Sequence, residues 1–288
     1  MSAFIRNIGQ TSKAESISLN TRFGRRRLGG KLFRNIGPLR SAAASAPAFP
    51  VDAADFDGTN DWMERGAELT GIVDGTQGIF SGWVRLDGGD TSARQIISIN
   101  GNTCIIQRSA ADLFRLLLRD STPTTLLDFK TVNTYITGSS WLHFLASWDT
   151  NFTAGNKLHH LYINDVSDKQ IAVDSAAAGT IDYTLGNWAV GNSVGGGNIF
   201  NGCLAEIYFA PNQYLDFSVE ANRRKFISSA LKPVDLGADG STPTGTAPIV
   251  FQRIADGAAA TTFATNLGSG GNFSITGSLD IASTSPSD

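Results

Sequence analysis

Three kinds of residue in this 288-residue chain could do chemistry. The stretch Gly-Asn-Ser-Val-Gly, residues 191–195, fits Gly-x-Ser-x-Gly and offers Ser193 as a nucleophile. That motif works as a strand–turn–helix elbow, which lifts the hydroxyl and sets backbone N–H groups under the oxyanion. Here the following residues, Gly196-Gly197-Asn198-Ile199-Phe200-Asn201-Gly202, cannot start a helix, so the segment reads as a glycine-rich hairpin loop. His143, His159 and His160 could supply a base, but the adjacent His159 and His160 point to opposite faces of a strand. Glycan hydrolysis needs two carboxylates about 5–9 Å apart on one face. Glu206 stands alone in its strand, so no catalytic residue is assigned and the chain reads as a non-enzyme.

Metal chemistry is limited to calcium, which takes its oxygens from Asp, Asn and backbone carbonyls in loops. Asp57, Asn60, Asp61, Asp149 and Asn151 supply such atoms, without the dense acidic spacing of a dedicated loop. Asx-turn hydrogen bonding is the favoured account of the same residues. No other cofactor is expected. Cys104 and Cys203 lack histidines at zinc-ligand spacing and read as buried free thiols. The tryptophans, 62, 83, 141, 148 and 188, read as core. Asn151 and Asn272 open glycosylation sequons that mean little without a secretion signal, and the N-terminus lacks the apolar core of one.

Short strands must position these groups. Apolar alternation interrupted by polar turns marks strands within 54–65, 78–89, 94–101, 104–109, 113–120, 140–150, 157–166, 187–193 and 202–210. Turns are expected at Asp57-Gly58 and Asn164-Asp165. One helix is predicted at about 218–229, capped by Ser218, with Val219, Phe226 and Ile227 on its apolar face and Pro233 beyond it. Residues 247–252 and 271–279 add strands. The pattern predicts an all-β, antiparallel two-sheet sandwich over 51–288.

Charge divides the chain at about residue 50. Residues 1–50 carry nine Lys and Arg against one acid, Glu15, whereas the remainder carries fourteen basic and twenty-five acidic groups. The first part reads as an extended basic arm ending in a linker, Ser41–Pro50. The cations Arg22, Arg25, Arg26, Arg27, Lys31 and Arg34 alternate with the apolar Phe23, Leu28 and Phe33. That mix suits docking on another protein, with guanidinium groups finding carboxylates and apolar side chains filling pockets. Nucleic acid would use the charges alone, and a transit peptide would need a helix that Gly24, Gly29 and Gly30 break. No run of 18 or more apolar residues exists, so no membrane span is expected.

Three stretches carry a family resemblance. "DFDGTNDWME" (55–64), "HFLASWDTNFTAGNKLHHLYINDV" (143–166) and "VGGGNIFNGCLAEIYFA" (194–210) resemble the laminin-G/concanavalin A-like jelly-roll domain. The ending, from "FSVEANRRKFI" to "GSGGNFSITGSLDIASTSPSD", is similar to that of such domains in tailed-bacteriophage virion proteins. The resemblance implies two stacked antiparallel sheets, a surface suited to glycans or proteins, and in some members one calcium ion. It implies a virion structural protein of head, neck or tail, present in multiple copies. Its arm would hold other virion proteins and its jelly roll would be displayed. The alternative is a carbohydrate-binding adhesion module for host glycans.

Overall fold

The computed structural model describes residues 48–175 and 178–288. The docking residues of the arm, Arg22 to Arg34, lie outside them. Two antiparallel eight-stranded sheets dominate the described residues. Sheet I runs, edge to edge, Val166–Ser167, Leu158–Ile163, Gly138–Asp149, Gln77–Leu86, Asn201–Pro211, Ala54–Asp57 and Asp280–Ile281, with Val250–Gln252 also paired to Asn201–Pro211. Sheet II runs Gln170–Asp174, Thr125–Lys130, Phe114–Arg119, Cys104–Arg108, Arg94–Ile99, Trp188–Val190, Trp62–Glu64 and Ser274–Thr276. The expected sandwich is therefore present.

Alternation builds it. In Phe114–Arg119, Phe114, Leu116 and Leu118 enter the core between the sheets, so Arg115, Leu117 and Arg119 must face outward. The recognised Phe-Asp-Gly and Phe-Asn-Gly motifs turn out to be cross-strand neighbours. Asp57 pairs with Asn201 and Phe56 with Gly202, and the rings of Phe56 and Phe200 meet edge to face at 6.1 Å. Gly202 is required there. Its φ is 141°, and a Cβ would lie 2.1 Å from the carbonyl oxygen of Arg85. At Asn164-Asp165, φ values of 49° and 65° close a two-residue hairpin between Ile163 and Val166.

Three expectations need correction. The helix is a single turn, Glu220–Arg223, preceded by Val219 without a side-chain cap. Ser218 instead donates its N–H and hydroxyl to Asp216 Oδ1, at 2.8 and 2.6 Å. This local bonding competes with helix. Phe226 and Ile227 are buried as expected, whereas Val219 is exposed. Two strands, Thr125–Lys130 and Gln170–Asp174, occupy stretches read as loop. Of the five tryptophans, Trp83, Trp148 and Trp188 are buried, while Trp62 and Trp141 are partly exposed.

The segment after Pro211 decides which surface is free. Phe217, Phe226, Leu236 and Phe251 pack with Ile79, Leu145 and Tyr208. Ile227 and Ala282 pack with Trp83, Cys203 and Ala205. These contacts cover the outer face of sheet I. The start of the described chain joins the same layer: Phe49 N–H donates to the Pro233 carbonyl at 3.1 Å, and its ring lies under the Arg253 guanidinium at 4.5 Å. Phe49 thus packs on this layer, two residues before Val51.

Candidate functional site

The outer face of sheet II carries a groove of about 370 Å³. Its floor is Ile105 and Leu117, outward-facing residues of two adjacent strands, joined by Ile99. Arg115 and Arg119 line it from the strand that also supplies Leu117. Opposite stands the glycine-rich loop, contributing Ser193, Val194 and Asn198. Asn100 and Asn102 line it as well. Gln95 completes the lining; it is 3% exposed, and its buried Oε1 has no hydrogen-bond partner among the described residues.

Backbone bonds hold the loop in place. Ser193 N–H donates to Gly197 O at 2.7 Å, Gly196 N–H donates to Ser193 O at 2.9 Å, and Gln95 N–H donates to Asn198 O at 2.9 Å. Gly196 has a φ of 86°, which suits it to this reversal. Glu64 Oε1 accepts from Asn192 Nδ2 at 3.2 Å and Gly195 N–H at 3.4 Å. The loop is a hairpin and no helix follows it, so Gly-x-Ser-x-Gly is not an elbow here. Ser193 Oγ makes no hydrogen bond among the described residues.

The three histidines belong to sheet I. His143 Nε2 lies 2.8 Å from Ser81 Oγ, both residues are buried, and the Trp83 ring centroid is 4.7 Å away. Burial pushes the imidazole down to about 3, opposed only partly by Asp165. His159 Nδ1 accepts from Lys169 Nζ at 2.7 Å, and His160 Nε2 lies 3.0 Å from Tyr214 Oη. None of them is bonded to Ser193.

Glu206 sits where sheet I bulges, with a φ of 48° and a register shift between Ala205 and Tyr208. Its Oε1 is 2.6 Å from Arg253 Nη2. Burial raises the carboxyl to about 7 against the pull of Arg253. The other acid near the pair, Asp235, is 3.8 Å from Arg253 Nη1 and mostly exposed. This is a latch between sheet I and the chain's last segment.

The calcium candidates are not brought together. Leu86 pairs with Gly202, beside the Asn201–Asp57 pair, whereas Gln77 pairs with Asp149. Nine residue steps at about 3.3 Å place Asp57, Asn60 and Asp61 about 30 Å from Asp149 and Asn151. Their oxygens serve local turns and, at Asp61, a contact with the chain's last segment. Asp57 Oδ1 accepts from Thr59 and Asn60 N–H at 2.7 and 3.0 Å. Asp61 Oδ1 accepts from Ser278 N–H at 2.8 Å, and Asp149 Oδ1 from Asn151 N–H at 2.9 Å.

A cluster missed in the sequence joins Asp55, Asp87 and Cys203, with potential ligand atoms within 4.8 Å of one another. Three separate strands or loops supply it, so no spacing announced it. Burial and the neighbouring carboxylates push the Cys203 thiol well above its usual range. Arg85 grips Asp87 with two bonds, of 2.9 and 2.8 Å. The Cys203 thiol lies 3.3 Å from Asp87 Oδ2 and 3.6 Å from Asp55 Oδ1. Cys104 and Cys203 are both free and buried.

Neither a family model nor a curated protein matches the sequence. Among solved structures the chain is similar to a protein of Bacteroides ovatus provisionally named for carbohydrate binding. Identity is 13%, coverage is 82% of this chain and 60% of that one, and the TM-score is 0.56; the chain thus spans less than two thirds of that protein's length. It is also similar to a heptameric SAP-like pentraxin from Limulus polyphemus, at 13% identity, 58% and 78% coverage and a TM-score of 0.42. A third is the LG4-5 region of the mouse laminin alpha1 chain, at 13% identity, 58% and 43% coverage and a TM-score of 0.38. Sheet topology and the first of these likenesses together give the fold: a lectin-like jelly-roll β-sandwich.

Proposed function

We propose that this chain is a non-catalytic, glycan-binding display module of a bacteriophage particle. The observation that carries the binding role is the polar groove on sheet II, which holds Arg119 without an ion-pair partner among the described residues. Sugar hydroxyls are both donors and acceptors, and they would meet Gln95, Asn100, Asn102, Ser193 and Asn198 there. The fold shared with a protein named for carbohydrate binding supports the same reading. The non-catalytic part rests on Ser193 without a base and on Glu206 paired with an arginine rather than a second acid.

The virion setting rests on the sequence: the basic arm anchors, and the acidic domain faces solvent. Multiple copies on a particle would multiply a weak single-site affinity.

Binding of a polysaccharide panel to immobilised protein tests the groove. Ser193→Trp, which fills it, should abolish binding that wild type shows. Retention of full binding by that variant would move the site elsewhere.

A further inference from the structure

Charge in the groove is unbalanced, and the imbalance names a ligand class. Two arginines and no carboxylate line it. Arg115 is already neutralised, because Asp128 takes its Nε at 2.8 Å and its Nη2 at 2.5 Å in a two-pronged pair. Arg119 is different. Its Nε donates to Thr125 Oγ1 at 3.3 Å and its Nη1 to the Asn102 carbonyl at 3.5 Å, both neutral acceptors at long range. No ion pair involves Arg119 among the described residues. Asp120, the next residue, turns its Oδ1 to Thr122 and Thr124, and Asp182, whose N–H donates to the Arg119 carbonyl at 3.1 Å, turns its Oδ1 to Thr184 at 3.1 and 3.3 Å.

The lining also holds no aromatic ring. Lectin-like sites that take neutral pyranoses by stacking need one. The partly exposed Trp62 belongs to the strand whose Glu64 holds the far side of the glycine-rich loop, and it is not part of the groove. Recognition here must come from hydrogen bonds and charge. A planar guanidinium with open donors matches a carboxylate in geometry as well as sign.

We infer that the groove takes a carboxylated sugar, with the carboxylate on Arg119. This rests on the groove being the glycan site and adds the charge of the ligand. Uronic and sialic acids share the chemistry, and separate probes tell them apart.

The experiment titrates the full chain with three probes: a galacturonic acid oligomer, its carboxyl-reduced neutral counterpart, and sialyllactose. Wild type should bind at least one acidic probe ten-fold or more tighter than the neutral oligomer, with affinity falling between 50 and 300 mM salt as the screening length shortens about 2.5-fold. Arg119→Gln should remove that preference. Arg119→Lys should retain part of it. Circular dichroism of each variant confirms folding, and Arg119 is half-exposed on a strand, so its loss leaves the core intact.

Equal binding of acidic and neutral oligomers, blocked by Ser193→Trp, would overturn the charge inference and keep the glycan site. Acidic binding that survives Arg119→Gln would overturn it as well. Tighter binding of an oligoglutamate peptide than of either acidic sugar would reassign the groove to an acidic protein segment. Failure of every sugar to bind would remove both readings.

Discussion

Burial acts on His143 in a way that acid can read out. An unfolded histidine takes a proton near 6.5, whereas His143 in the folded chain resists until about 3. Between those values the unfolded state binds the extra proton, so stability falls as pH drops below 6.5. At pH 5 the loss from this residue is about 2 kcal/mol. Urea unfolding at pH 7 and pH 5 should show it in wild type, and His143→Gln should remove that share of the pH dependence. An unchanged difference would place the acid sensitivity in other groups. Ser193 and Glu206 make a second expectation at this scale. Ser193→Ala and Glu206→Gln should abolish no ester or glycan turnover, measured against chromogenic substrates, since neither residue has the partner that hydrolysis needs. Turnover lost in either variant would contradict the non-catalytic reading.

At the scale of strands, the meeting of the two Phe-Asx-Gly motifs is the most constrained point. Gly202→Ala would drive a methyl against the Arg85 carbonyl and force a φ that alanine avoids. We expect at least about 3 kcal/mol of destabilisation, read as a lowered urea midpoint; a shift under 1 kcal/mol would mean the strands separate easily there. This junction was legible in the sequence because each motif combines a buried aromatic, a turn-forming Asx and a glycine. The strands that were missed lacked such marks. Thr125–Lys130 follows Pro123 and alternates only over its last four residues, Leu127 to Lys130, and Gln170–Asp174 is an edge strand whose Ile171 and Val173 are exposed. The predicted helix failed because Phe226 and Ile227 reach the core from a turn, and apolar spacing alone does not distinguish the two. The groove was illegible for a different reason. Gln95, Ile105, Arg115 and Arg119 come from three strands, and each looks like an ordinary outward position until the sheet places them side by side. The glycine-rich loop was readable as a hairpin, but not what it would stand over.

Among the described residues, one sheet is covered on its outer face and the other is open. Residues beyond Pro211 cover the outer face of sheet I, leaving the groove on sheet II as the surface to display. No helix among the described residues is long and apolar enough to cross a membrane. If the arm docks on protein, Arg25, Arg26 and Arg27 changed together to Ala should weaken particle incorporation most at low salt, where charge is least screened. Phe23, Leu28 and Phe33 changed to Ser should weaken it at every salt concentration, by roughly 1.5–3 kcal/mol for each fully buried side chain. Occupancy on assembled particles measures both, and apolar variants that incorporate like wild type would point to nucleic acid instead. The central claim is that sheet II carries the binding groove, and hydrogen–deuterium exchange with and without a galacturonic acid oligomer tests it most directly. Protection is expected in residues 94–119 and 192–198, with the outer layer of sheet I, residues 212–247, unchanged; protection confined to that layer, or found nowhere, would contradict it.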